Sequence, residues 1–499
     1  IMSLNRIKPL LSVRNNYLLI RTVASSSNAT AETSKLKSWK EIPGPSSLPI
    51  IGPALNFLPV VGKALKSQDF YKMYGTIVRM DGAFGSPPNI LLYDVKLIEQ
   101  VLRGENKLPE RPGFQSLEYF RRNQKNSTGL LTEHGERWKE FRSAVNPVML
   151  QPKTIKLYSD EIDGVALDMI KRLKSIRDEK NMLTEDLEVE LNKWSLESVA
   201  VVALGGRLGC LKSDLDENSP VRRLIKNVRE TFEISDKLDN RPGLWRYIST
   251  PNYRKAMKIY QEQIDLTRIF IFKAMEELKK RETLPEHKGV LEKLLEVDEN
   301  VAIVMASDML VAGVDTTAHT MLGALYLLGA NMDKQKKLRE ELQSTDANER
   351  RPYLRACIKE SLRLYPIIGA NLRRATKDYN LGGYLIPEGM NIVLMHEFVS
   401  KLECNFHRAN DFLPERWITK KDDELYYGHA HPTTYNPFGF GVRMCIGRRI
   451  AELEVETFLA RLIENFEVEW FGPPPKRKSS PINYIVKPYN FIFRDVKND

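Results

Sequence analysis

Cys445 stands in the run Phe438-Gly-Phe-Gly441-Val-Arg443-Met-Cys445-Ile-Gly447, a glycine-rich turn offering a single thiol. A sulfur that must reach a metal and stay deprotonated needs a tight turn, close backbone approach and a nearby cation. Gly439, Gly441 and Gly447 permit unusual dihedrals and close approach. Arg443 places a cation two residues before the sulfur, which favours thiolate over thiol. The same residues also suit an inert cysteine buried in a loop, the commoner fate of a lone thiol. Other constellations could carry chemistry too. Trp138 and Arg142, in Gly135-Glu-Arg-Trp-Lys-Glu-Phe-Arg142, are spaced to share a helix face. They could form a surface cation–π pair or clamp a carboxylate, which a guanidinium fork binds bidentately. Asp315 and Thr316 lie in Ala312-Gly-Val-Asp-Thr-Thr317, amid an apolar helical stretch. A carboxylate there could do general-acid work with a pKa tuned by partial burial. The threonines could equally bond back to the preceding turn. Glu360 and Arg363, just before Pro366, are spaced as an ion pair on one side of a helix.

These groups need elements to hold them. Residues 301–330 read as one long apolar helix, in which Gly313 and two β-branched threonines lower intrinsic helicity and predict a local widening. Pro147 and Pro366 are expected to end the helices of Trp138 and Glu360. Tyr384 to Gly389 reads as a short strand and turn. No repeat, Gly/Ser linker or low-complexity tract breaks the middle of the chain, so the periodic segments predict one mainly helical body. Only four cysteines occur in 499 residues, Cys210, Cys357, Cys404 and Cys445, with no CxxC and no paired Cys/His spacing. That argues against a disulfide framework and a structural zinc site. The net charge of +10 suits an acidic partner or an anionic membrane surface, while nothing resembles a nucleic-acid-binding module. Before Glu32 the chain carries Arg6, Lys8, Arg14 and Arg21, hydroxyls such as Ser3, Ser12 and Thr22, and no acid. That is the composition of a mitochondrial transit peptide, and its apolar runs are far too short to span a bilayer. Residues 1–40 are therefore expected to be a transit peptide or disordered, and 41–499 the folded domain.

The run ending in Cys445-Ile-Gly447 resembles the haem-binding signature of the cytochromes P-450, the haem-thiolate monooxygenases. The resemblance continues in family order. Trp138 and Arg142 match its C helix, where both side chains hold a haem propionate. Ala312 to Thr317 matches its I-helix signature. Lys359-Glu360-Ser-Leu-Arg363 matches its K helix, with Arg416 of Phe412-Leu-Pro-Glu-Arg-Trp417 completing a buried triad that serves folding. It implies a mainly α fold, a helical prism with a minor β region around one haem b. Cys445 would be the proximal iron ligand, and Arg373 and Arg443 further propionate partners. Thr316 would hydrogen-bond dioxygen and Asp315 feed it protons. The reaction implied inserts one atom of O2 into a lipophilic substrate.

Leu354-Arg355-Ala-Cys-Ile-Lys359 and Gly447-Arg448-Arg449 resemble the mitochondrial branch, in which these basic positions dock an acidic [2Fe–2S] ferredoxin supplied from NADPH by its reductase. Arg355 and Lys359 would sit roughly 90° around the helix from Glu360 and Arg363, exposed while that pair is buried. Gly129 to Trp138, Val145 to Lys153 and Trp194 to Val199 look like the insect mitochondrial branch, associated with foreign compounds. Within the same class, an ecdysteroid or steroid hydroxylase is the alternative; outside it, a haem-binding carrier or sensor without turnover. The resemblance implies a place on the matrix face of the inner mitochondrial membrane, held by peripheral contact. Phe114 to Arg122 and Leu244 to Ile248 are candidates to roof the pocket, the second also to touch the membrane. The connector Gln343 to Arg351 is short for the family. Phe406 to Asn410 lacks the prolines usual there.

Overall fold

The computed structural model describes residues 36–496, apart from 49–51, 53–66, 85, 125–128, 152–155, 242, 281–287, 346–349 and 480. Residues 1–35 of the proposed transit segment and the middle of the 343–351 connector therefore lie outside the described residues. Residues 36–40 correct the expected boundary, because Lys37–Ser38 pair as a strand with Tyr384 and Leu385 and so belong to the folded domain.

The helices that bear on the site are α1 (Gln115–Asn123), α2 (Gly135–Met149), α3 (Leu187–Leu204), α4 (Pro220–Asp239), α5 (Pro251–Lys280), α6 (Glu299–Gly329), α7 (Met332–Ser344), α8 (Pro352–Leu364) and α9 (Arg448–Asn465). Helix α6 is the axis. It starts where the Asp298 side chain accepts the Val301 amide at 2.8 Å, an N-cap that satisfies one free donor of the first turn. It is apolar nearly all round, the pattern of a helix enclosed on every side. Its length and composition would suit a membrane span, but much of it is buried by the rest of the chain. Helix α3, also buried along almost its whole length, packs closely on it. A Cβ at Gly313 would lie 2.8 Å from Val199 Cγ2, so the glycine permits this approach. Ser195 on α3 donates to the Gly313 carbonyl at 2.8 Å.

The expected widening of this helix is not found: α6 is continuous from Glu299 to Gly329. Thr316 donates to the Ala312 carbonyl at 2.6 Å and Thr320 to the Thr316 carbonyl at 2.8 Å. The mid-helix glycine answers to packing against α3. Pro147 does not end α2, which runs on to Met149. Helix α8 stops at Leu364, before Pro366.

The β structure is minor. Strands β1 (Lys37–Ser38), β5 (Tyr379–Leu381) and β6 (Tyr384–Ile386) form one sheet in the order β1-β6-β5. Strands β2 (Ile77–Met80), β3 (Asn89–Leu92), β4 (Asn371–Arg374) and β7 (Asn391–Leu394) form another, ordered β2-β3-β7-β4. Its β3–β7 pair is parallel and the others antiparallel. Arg373 enters the site from β4. Two antiparallel two-stranded sheets, β8 (Phe466–Trp470) with β11 (Phe491–Asp495), and β9 (Arg477–Ser479) with β10 (Asn483–Ile485), complete it. One large apolar core surrounds α6, and a smaller one of Ile42, Ile90, Leu92 and Ile392 lies under the sheets.

Candidate active site

The Cys445 turn is built by short backbone bonds. The Cys445 amide donates to the Phe438 carbonyl at 2.8 Å, and Met444 to Gly441 at 3.1 Å. Gly439 and Gly441 hold φ of 79° and 68°, values that L side chains rarely adopt. Gly447 has an ordinary φ of −83° and caps α9; a Cβ there would lie 4.0 Å from the Cys445 sulfur. The sulfur thus sits near a helix N-terminus, whose partial positive charge favours a thiolate. Burial pushes the thiol up, while the Gly447 amide and the guanidinium groups of Arg111 and Arg142 pull it down. Cys445 nonetheless retains accessible surface. Both hold because it faces an internal cavity of about 330 Å³.

That cavity gathers most of the predicted site. Trp138, Arg142, Thr316, Arg373, Arg443 and Cys445 all line it, from α2, α6, β4 and the cysteine turn. Arg443 lies 3.9 Å from the centre of the Trp138 ring and donates to the Pro109 and Glu133 carbonyls at 2.9 and 3.0 Å. Arg142 donates to the Met444 carbonyl at 3.1 Å, and its Nε is buried without a partner among the described residues. Arg373 pairs with Glu105. A fourth cation, Arg111, completes the set and was not foreseen. Burial, then Arg373, pushes it down to about 10; burial, then Arg111, pushes Arg443 to about 9. Guanidinium groups buried together in this way are short of negative charge. Haem fits this donor set: its propionates would supply the missing anions, and the lone thiol the axial ligand.

Asp315 is not on the cavity wall. It is fully buried about 100° around α6 from Thr316, and neither oxygen has a hydrogen-bond partner among the described residues. Burial raises its pKa, opposed by His319 and Arg229. Neither suggested roof segment lines the cavity. Phe114–Arg122 and Leu244–Ile248 pack on each other instead, through Arg246 on Gln115 and a small core holding Leu117, Phe120 and Trp245. An amphipathic pattern does not distinguish core from cavity wall, which explains the difference. The distal walls are Leu131, Met305, Met309, Ala312, Ile367 and Ile368. Asp308, also there, is held by Arg121 of α1 at 2.8 Å. A larger groove of about 560 Å³ lies between α1, α4 and α5, but no cysteine is among its lining residues.

The Glu360, Arg363 and Arg416 side chains meet as expected, all buried. Arg355 and Lys359 are exposed on the other side of α8, and Arg448 and Arg449 on the first turn of α9. Arg355 bonds Glu456 of α9 at 3.2 Å, and Arg448 bonds Glu452 at 2.8 Å, so the four cations share one surface partly balanced by acids.

Glu454 of α9 was also missed. It is 1 % exposed, lines the cavity and hydrogen-bonds Thr317 of α6. Burial raises its pKa to about 8, against an ordinary value of roughly 4.3. Between those values the folded state keeps a proton that the unfolded state has lost, so stability falls as pH rises, by up to ~1.4 kcal/mol per unit. Glu454→Gln should flatten the dependence of melting midpoint on pH between 5.5 and 8. Parallel curves for the two proteins would mean that Glu454 is not protonated.

A family model for cytochrome P450 matches residues 42–493. The chain is 38% identical to cytochrome P450 CYP12A2 of Musca domestica, covering 94% of this chain and 95% of that one. It is 37% identical to "Probable cytochrome P450 12a5, mitochondrial" of Drosophila melanogaster, over 93% of this chain and 92% of the relative. "Probable cytochrome P450 12c1, mitochondrial", of the same organism, is 36% identical over 86% of each.

Proposed function

Because this chain belongs to the cytochrome P450 family, we propose that it oxidises lipophilic foreign compounds in mitochondria, drawing electrons from NADPH through a ferredoxin reductase and a [2Fe–2S] ferredoxin. It is a monooxygenase with haem b as cofactor. The observation that carries the reading is the single cavity with Cys445 on one wall, Thr316 on another and four arginines among the rest. The net reaction is RH + O2 + two electrons + two protons giving ROH + H2O. Haem held by Cys445 supplies the oxygen activation.

The chain's own residues bind, orient and deliver protons. Trp138, Arg142, Arg373 and Arg443 hold the propionate edge, with Arg111 beside them. Leu131, Met305, Met309 and Ile368 give the substrate an apolar surface that excludes water. The Thr316 hydroxyl, now donating to the Ala312 carbonyl, turns to present a proton to the reacting oxygen, and Asp315 restores it. Arg355, Lys359, Arg448 and Arg449 steer and orient the acidic ferredoxin. Exposed Leu244, Tyr247 and Ile248, near the exposed cations Arg254, Lys255 and Lys258, make the peripheral contact with the inner membrane. The residues before the strand Lys37–Ser38 act as the transit peptide and those from that strand onward as the enzyme.

The test is reconstitution with NADPH, reductase and ferredoxin against a panel of lipophilic compounds and steroids. Thr316→Ala should consume NADPH at a similar rate but yield roughly a hundredfold less product per NADPH, with more hydrogen peroxide, as expected on losing a general acid. Unchanged coupling would remove Thr316 and its relay. A single discrete steroid product would favour the endogenous role.

A further inference from the structure

His319 lies one turn beyond Asp315 on α6, on the same face, and neither residue lines the cavity. It is 3 % exposed, and neither ring nitrogen has a hydrogen-bond partner among the described residues, as for both Asp315 oxygens. Buried polar groups are rarely left so. The next group outward is Glu188 at the start of α3, whose Oε1 lies 3.4 Å from His319 Nε2. Glu188 is held in turn by Arg229 of α4 and the Tyr489 hydroxyl. Side-chain exposure climbs along this line, from 1 % at His319 to 12 % at Glu188 and 27 % at Arg229. Beyond Arg229 lie Glu233 of α4 at 3.7 Å and, on β9, Lys478, which is 3.5 Å from Glu233. The Tyr484 ring of β10 packs beside the imidazole, centroids 5.5 Å apart, with Arg229 on it.

We propose that His319 passes protons from Glu188 to Asp315, so that the acid behind Thr316 is recharged from the α3–α4 surface and not through the substrate cavity. This rests on the reading of Asp315 as the proton source. An imidazole suits the task because it accepts at one nitrogen and donates from the other. The Glu188 O–H bond breaks as an N–H bond forms at Nε2, the nitrogen nearest Glu188, and the N–H bond at Nδ1 breaks as an O–H bond forms on Asp315. One proton moves, no electron does, and tautomer exchange resets the ring. Burial pushes His319 down to about 4, so the ring rests neutral, with one nitrogen free to accept. The Asp315 carboxyl, raised by burial, holds the proton until Thr316 takes it.

His319→Phe should lower product per NADPH roughly tenfold, less than the hundredfold or more of a direct general acid, and enlarge the solvent deuterium isotope effect on product formation. The carbon monoxide spectrum and the rate of the first electron transfer should stay unchanged, which a merely structural defect would not allow. His319→Gln, polar but unable to relay, should behave the same way and decides the matter if the phenylalanine variant does not fold. Glu188→Gln should follow in the same direction. If Asp315→Asn uncouples turnover while both His319 variants keep normal coupling and isotope effect, the path does not run through His319. If Asp315→Asn also leaves coupling intact, the reading of Asp315 itself falls.

Discussion

Glu360→Ala is expected to destabilise the fold by about 3–5 kcal/mol, the cost of breaking a buried ion cluster at one partner. The Glu360 carboxylate accepts from Arg363 Nε and Nη2 at 2.9 and 2.8 Å, and from Arg416 Nε and Trp417 Nε1, both at 2.9 Å. The Leu413 amide adds a longer bond at 3.2 Å. Truncation leaves two guanidinium groups fully enclosed, with no anion between them. The loss spreads because the same arginines stitch the chain leading towards the cysteine turn. Arg363 donates to the Ser400 and Ala409 carbonyls at 2.9 and 2.6 Å, and Arg416 to His407 and Arg408 at 3.0 and 3.2 Å. They also hold the Phe406 region, where the Arg363 and Arg416 guanidinium carbons lie 5.0 and 5.7 Å from the centre of the Phe406 ring. Since a domain's whole margin is roughly 5–15 kcal/mol, little folded holoprotein should form. Haem content per polypeptide and the far-ultraviolet melting midpoint measure this directly. Glu360→Gln, keeping the shape and one carbonyl acceptor, should lie between wild type and alanine. A melting midpoint for Glu360→Ala equal to wild type would show that the cluster is not needed for stability.

What could be read from the sequence was local. The cysteine turn, the face shared by Trp138 and Arg142, and the burial of Glu360 with Arg363 opposite exposed Arg355 and Lys359 all follow from spacing within one element. Arg111 does not. It lies in an irregular segment after Glu110, and its meaning comes from Arg142, Arg373 and Cys445, all distant in sequence. Glu454 looks like part of a charged stripe in Glu452-Leu-Glu-Val-Glu456. Its spacing from Ile450 and Phe458, both buried, was a usable sign that it faces inward. His319 carried a similar sign, one turn from Asp315 in an otherwise apolar stretch. The widening predicted from Gly313 failed because a mid-helix glycine serves close packing as well as distortion, and only Val199, far away in the chain, decides between them. Asp315 and Thr316, adjacent in sequence, are about 100° apart around α6, enough for Thr316 to line the cavity while Asp315 lies just off its wall on the buried polar line.

Cys445→Ala is expected to abolish the strongly red-shifted Soret band that dithionite-reduced, thiolate-ligated haem gives with carbon monoxide, and product formation with it. No other described cysteine can take its place. Cys210 and Cys357 are wholly buried elsewhere in the core, Cys404 is exposed in a surface turn, and only Cys445 lines the cavity. Removal of the sulfur leaves the proposed propionate partners Trp138, Arg142, Arg373 and Arg443 in place, so haem should still bind, more weakly and with the carbon monoxide band at the less shifted position of non-thiolate haem. The backbone is insensitive to the change, because the turn is set by the Cys445 amide on Phe438 and by positive φ at Gly439 and Gly441, none of which involves sulfur. Spectrum and fold therefore separate: the melting midpoint of the haem-free protein should move little while the band is lost. Gly447→Ala offers the graded counterpart, since its added Cβ would lie 4.0 Å from the sulfur, an ordinary contact distance, and should leave the red-shifted band intact. A red-shifted band surviving in Cys445→Ala would assign the ligand to another thiol and overturn the geometry of the whole site.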